Sequence, residues 1–171
     1  NDPALYEDMY RQLAENGKDK YIFVDIFMLL FERLHSLRGF ENVLMDLYEE
    51  PELLGDLADK IVEYDRAIIR NIKERFPTQI QGFTCSDDWG TEQNTFMSVE
   101  MWRDFFKPRY AKIFDACKAN GWHVWLHSCG KINNFMEDFI DLGIRVLNLQ
   151  QPCVLDIEAF GKQYAGRICF A

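Results

Sequence analysis

Short apolar runs alternate with longer amphipathic stretches along this chain, and that rhythm sets the expected elements. Residues 21–27 (YIFVDIF) are β-branched and aromatic, and read as a buried strand. Pro51 stands where a first helical turn favours proline, amid Glu49, Glu50 and Glu52, whose charges suit a helix N-terminus. Leu54, Leu57, Ala58, Ile61, Val62, Ile68, Ile69 and Ile72 follow three- and four-residue spacing, predicting a helix that stops by Pro77. A second strand is expected over residues 80–85. Ser98 reads as the N-cap of a further helix, with Trp102, Phe105, Phe106, Tyr110, Ile113, Phe114 and Cys117 on one face. Pro108 lies inside that pattern and predicts a kink, or a break after Lys107. Gly121 closes the segment as a C-cap. The rhythm then quickens: strand 122–127, helix 134–142 ended by Gly143, strand 144–149, helix 156–164 and strand 167–170.

Strand, helix, strand with short links is the pattern of parallel βαβ units. Five such strands fit a doubly wound sheet or part of a closed barrel. The glycine-rich turns GxGxxG and GxxxxGK[ST], which a nucleotide-binding open sheet would show, are absent. The chain also ends at Ala171, directly after a strand that would want a covering helix. The expected fold is therefore α/β: a partial TIM (β/α)8 barrel of about five parallel strands, a fragment of a fold that typically needs about 250 residues. No linker rich in Pro, Gly or Ser interrupts it, so residues 1–171 read as a single domain.

Composition narrows the class. Of 171 residues 48% are hydrophobic, enough for one core. Lys and Arg number 19 against 28 Asp and Glu, a net charge of −9, which argues against nucleic-acid and anionic-membrane partners. The longest apolar run, residues 26–31, is far short of the roughly 20 residues of a membrane span. The opening Asn1-Asp2-Pro3 lacks the basic-then-apolar layout of a signal peptide. Five cysteines without dense spacing point to a reducing cytoplasm.

In a parallel sheet the chemistry gathers where strands enter the following loops. Here those positions hold 85–90 (CSDDWG), 127–130 (HSCG) and 148–153 (NLQQPC). His127 and Cys129 are two apart at the end of an extended run, so both point to one side with His123 and Trp125, leaving Val124 and Leu126 for the helices. An imidazole nitrogen and a thiolate sulfur form a partial shell for Zn²⁺, in which a substrate thiol would lose its proton. The plainer alternative has Cys129 packing as a small hydrophobe while His127 bonds a loop carbonyl. Asp87 and Asp88 are candidate catalytic carboxylates in the same mouth, although one of them suits a turn or cap. Asp25, a carboxylate inside an apolar strand, either points into the mouth or pairs with an arginine. Trp89 and Gln150 complete the candidate substrate contacts. His35 and His123 read as structural, Cys117 and Cys169 as inert.

The loop 87–90 (DDWG), the stretch Ser98-x-Glu100-Met101-Trp102-Arg103-x-Phe105-x-Lys107-Pro108-x-Tyr110, and 126–130 (LHSCG) together resemble the uroporphyrinogen decarboxylase superfamily. Arg38-Gly39-Phe40-Glu41-Asn42 followed by Glu50-Pro51-Glu52 is similar to the same family. The resemblance implies a (β/α)8 barrel of which this chain holds the middle strands. It also implies one of two chemistries. Decarboxylases remove acetate carboxylates from a tetrapyrrole in porphyrin biosynthesis, a lyase reaction, with an Asp and arginines from a section that would precede residue 1. Corrinoid-linked methyltransferases use Zn²⁺, held by an HxC motif and a later Cys, to activate a thiol, or act on other methyl acceptors. His127 and Cys129 match the HxC pair and favour the second branch. The third ligand is expected beyond Ala171, with Cys153 the in-chain candidate and Cys85 behind it. The expected partners are a small-molecule substrate or a corrinoid protein. A third reading is a non-catalytic fragment that self-associates to cover open sheet edges.

Overall fold

In a computed structural model, the described residues, 3–171, form five parallel strands and the helices that join them. In chain order these are α1 (Pro3–Asn16), β1 (Phe23–Met28), α2 (Phe31–Arg38), α3 (Phe40–Glu49), α4 (Pro51–Arg75), β2 (Gly82–Ser86), α5 (Val99–Met101), a π-helical turn (Trp102–Phe106), α6 (Lys107–Ala119), β3 (His123–His127), α7 (Met136–Asp141), β4 (Ile144–Asn148), α8 (Ile157–Tyr164) and β5 (Cys169–Phe170). Single 3-10 turns stand at Asn133–Phe135 and Pro152–Val154. The strands pair in the order β1-β2-β3-β4-β5, every pair parallel.

That order decides between the two architectures the sequence allowed. A doubly wound sheet reverses direction at a switch point, whereas consecutive order steps every crossover the same way, as in a barrel. β3 buries one face. On β3, Val124 and Leu126 are buried, while His123 is exposed and Trp125 and His127 are half-buried. The expectation of a buried first strand is corrected here: on β1 Ile26 is buried, but Phe23 is 49% and Phe27 67% exposed. β1 thus alternates, whereas β2, inside the sheet, is buried at four of its five residues.

The long helix α4 begins with Pro51 in its first turn and ends with Lys73 and Arg75 in its last, each favourable for the helix dipole or the missing N–H. Ser98 caps the next helix by accepting from Met101 N at 3.1 Å. The break foreseen near Pro108 takes the form of the π-helical turn just before it, where Lys107 N–H reaches back five residues to the Trp102 carbonyl. The wider turn accommodates a proline ring that would otherwise crowd the backbone. Helices α1, α2 and α3 were not foreseen. Among the described residues no helix is long and apolar enough to cross a membrane.

Candidate metal centre

Two loops at the carboxyl ends of β2 and β3 are pressed together backbone to backbone. Gly130 has φ +85°, and a Cβ there would lie 2.3 Å from the Gly90 carbonyl oxygen, so only glycine fits. This approach lays Asp88 across Cys129, whose N–H donates to Asp88 Oδ1 at 2.6 Å. His127 Nε2 lies 3.4 Å from Cys129 Sγ and 3.9 Å from Asp88 Oδ1. One ligand atom from each of the three side chains falls within 4.8 Å of the other two, and all three residues are half-buried. Nitrogen, sulfur and carboxylate oxygen converging on one point are a donor set that Zn²⁺ accepts.

The surroundings add three residues that sequence reasoning missed. Asn148 is the register partner of His127 on β4; its Oδ1 lies 2.6 Å from His127 Nδ1, and its Nδ2 donates to Ala171 O at 2.9 Å. Gln151 accepts from Gly130 N–H through Oε1 at 2.8 Å, tying the site to the loop after β4. Glu32, in the first turn of α2, accepts from Ser86 Oγ at 2.8 Å. Burial pushes the Glu32 carboxyl above its ordinary range, against the Ser86 hydrogen bond, and the Asp88 charge pushes the same way. The Cys129 thiol is likewise raised, first by burial and then by the Asp88 charge. A bound cation would reverse that second influence.

Neighbouring residues of an extended run face opposite ways, and this separates the sequence candidates. Asp88 faces the cluster, so Asp87 and Trp89 face the helices. Asp87 is fully buried and accepts from Leu30, Phe31 and Glu32 N–H at 2.8, 3.0 and 2.7 Å, and from the Tyr110 hydroxyl. It caps α2, and its expected place beside Asp88 is corrected to the helix side. Burial pushes its carboxyl up to about 7, against the pull of Tyr110 and the three amides. Trp89, 1% exposed, donates to Tyr110 OH at 3.1 Å and packs edge-on to Trp102 and Phe135 and tilted against Phe139, so the expected substrate contact is corrected to a core role.

The other candidates lie apart. Cys153 is exposed on the turn Pro152–Val154, outside the cluster, and Cys85 is buried on the helix side. Gln150 is exposed, and Gln151 makes the contact instead. Asp25 is exposed, has no ion pair among the described residues, and lines a groove of about 940 Å³ between α1, β1 and α4 rather than the metal cluster. His123 meets the Tyr21 hydroxyl at 2.9 Å at the other end of β3, and His35 packs edge-on to Phe31 and Phe40.

Comparison with known proteins bears on both fold and family. The family model described as uroporphyrinogen decarboxylase (URO-D) matches residues 28–169. Among solved structures, a methyltransferase from Methanosarcina mazei superposes with a TM-score of 0.74 at 17% identity, over 98% of this chain and 47% of that one. The chain thus spans about half the length of that structure, and the likeness supports the partial-barrel fold. No curated protein matches.

Proposed function

The chain belongs to the uroporphyrinogen decarboxylase family, and from that premise we propose that it serves methyl transfer from a corrinoid, free or carried by a protein, to a thiol. The observation that carries this reading is the convergence of Asp88, His127 and Cys129 within 4.8 Å. These three residues would hold Zn²⁺, and the ion would supply the positive charge that turns a substrate thiol into a thiolate near neutral pH. Cys129 provides a sulfur ligand whose raised thiol needs a cation to ionise. Asp88 fixes the Cys129 backbone while presenting its carboxylate to the same point. Glu32 lies outside the ligand set but is fastened to Ser86, the register partner of His127, and its carboxyl is pushed up by burial, which suits it to take up the proton a thiol gives away.

Metal analysis and calorimetric zinc titration of the chain, and of His127→Ala and Cys129→Ser, test the proposal. One equivalent of zinc in the parent and at least tenfold weaker binding in each variant is the expected result. Methyl transfer from methylcobalamin to 2-mercaptoethanesulfonate is then assayed on the zinc-loaded chain and on the longest protein that contains it. Absence of bound zinc in both, with turnover of uroporphyrinogen, would replace this reading by decarboxylation.

A further inference from the structure

We propose that Asn148 is a positioning residue that holds His127 in the tautomer whose Nε2 is free to bind a metal; this deepens the metal-centre reading and rests on it. The argument begins at the far end of the chain of contacts. The oxygen of Ala171 can only accept a hydrogen bond, so the Asn148 group 2.9 Å from it is the NH₂. That leaves Asn148 Oδ1 facing the imidazole, 2.6 Å from Nδ1. An amide oxygen at that distance requires a proton on Nδ1. A neutral imidazole carries a single N–H, so Nε2 holds its lone pair, aimed at the space shared with Cys129 Sγ at 3.4 Å and Asp88 Oδ1 at 3.9 Å.

Two acceptors compete for that one proton. Asp88 Oδ1 stands on the Nε2 side at 3.9 Å, too far for a hydrogen bond but close enough for its charge to favour an N–H there, which would close the nitrogen to a metal. Asn148 holds the proton on the other side, and the strands supply the leverage. Asn148 and His127 are register partners on β4 and β3. Ala171 is tied to β4 by its N–H to the Leu147 carbonyl at 3.1 Å. A metal-binding histidine is commonly oriented through its second nitrogen in this way. Here the orienting group is an uncharged amide, itself oriented by a backbone oxygen.

Long-range ¹H–¹⁵N correlation of the metal-free, ¹⁵N-histidine-labelled chain at pH 8 reads the tautomer directly, His127→Gln supplying the assignment. The parent is expected to show Nδ1 protonated and Nε2 bare. Asn148→Ala is expected to shift His127 toward the Nε2–H form and to weaken zinc binding about 10- to 100-fold. Asn148→Asp, which keeps an acceptor for Nδ1–H, is expected to retain the parental tautomer. A protonated Nε2 in the parent overturns the inference even if Asn148→Ala fails to fold, and so does an unchanged tautomer in a folded Asn148→Ala. Because the tautomer is read without metal, a bare Nε2 together with no zinc bound by either the chain or the longer protein that contains it would refute the functional reading alone.

Discussion

Helix α4 carries a carboxylate where its apolar stripe calls for a hydrophobe. Leu54, Ala58, Ile61, Val62, Asp65 and Ile69 all lie on its buried face, and Asp65 is 0% exposed with neither oxygen partnered among the described residues. Burial pushes its carboxyl up to about 7; Arg33 draws it down, while Asp87 adds to the rise. From the ordinary 3.8 the rise is about 3 units, and at roughly 1.4 kcal/mol per unit the charged form costs the fold about 4 kcal/mol. The folded chain keeps this proton between pH 3.8 and about 7 while the unfolded chain gives it up, so stability falls as pH rises through that window and levels off above it. Asp65→Asn removes the titration. The amide has its own unpartnered hydrogens, a cost that does not vary with pH. The informative quantity is therefore the change in ΔΔG with pH. Urea unfolding of both proteins at pH 4.5 and 8, under reducing conditions, should show the variant gaining about 3 kcal/mol on the parent between the two. Equal ΔΔG at both values would mean that the carboxylate reaches water, and the reasoning from burial would fail.

Three further outcomes are expected. Gly130→Ala meets both a left-handed φ and the Gly90 carbonyl, and should cost about 1–3 kcal/mol in urea unfolding while loosening zinc binding, because the two loops must part. Asp87→Ala orphans three backbone N–H groups and the Tyr110 hydroxyl, and a loss of at least about 3 kcal/mol is expected by the same assay. Zinc at a hundredfold excess over its dissociation constant should stabilise the chain by about 2–3 kcal/mol, seen as a Tm rise that chelator reverses and Cys129→Ser lacks.

The parts of the fold legible in the sequence were those set by short-range periodicity. Alternation along 122–127 placed His127 on the side away from Val124 and Leu126, and the helix from Pro51 to Arg75 followed its own spacing. Asp88 was legible as a loop group beside a strand end. The same alternation, carried one residue further, would have turned Asp87 and Trp89 toward the helices. What stayed hidden depends on which strands are neighbours. Asn148 reaches His127 only through the β3–β4 register, and Glu32 reaches Ser86 only because Asp87 fastens the start of α2. Helices α2 and α3 escaped notice for a related reason: each buries just two side chains, Phe31 with Leu34 and Val43 with Leu47, leaving a thin pattern to read.

The π-helical turn at Trp102–Phe106 sets a constraint of a different kind. An α-helix covering the same path would need one residue fewer, so the wide turn absorbs the extra residue without rotating what precedes it. Arg103, although exposed on that turn, is not free to vary, because its Nε donates to both oxygens of buried Asp138 at 3.1 and 3.0 Å, whereas exposed Asp104 makes no such tie among the described residues. Removing one residue from the turn would leave an ordinary α-helix on the same path, with Trp102 still 4.8 Å from Phe135 in its stacked pair and Ser98 still capping Met101 N. In this stretch the molecule is more tolerant of length than of spelling at Arg103.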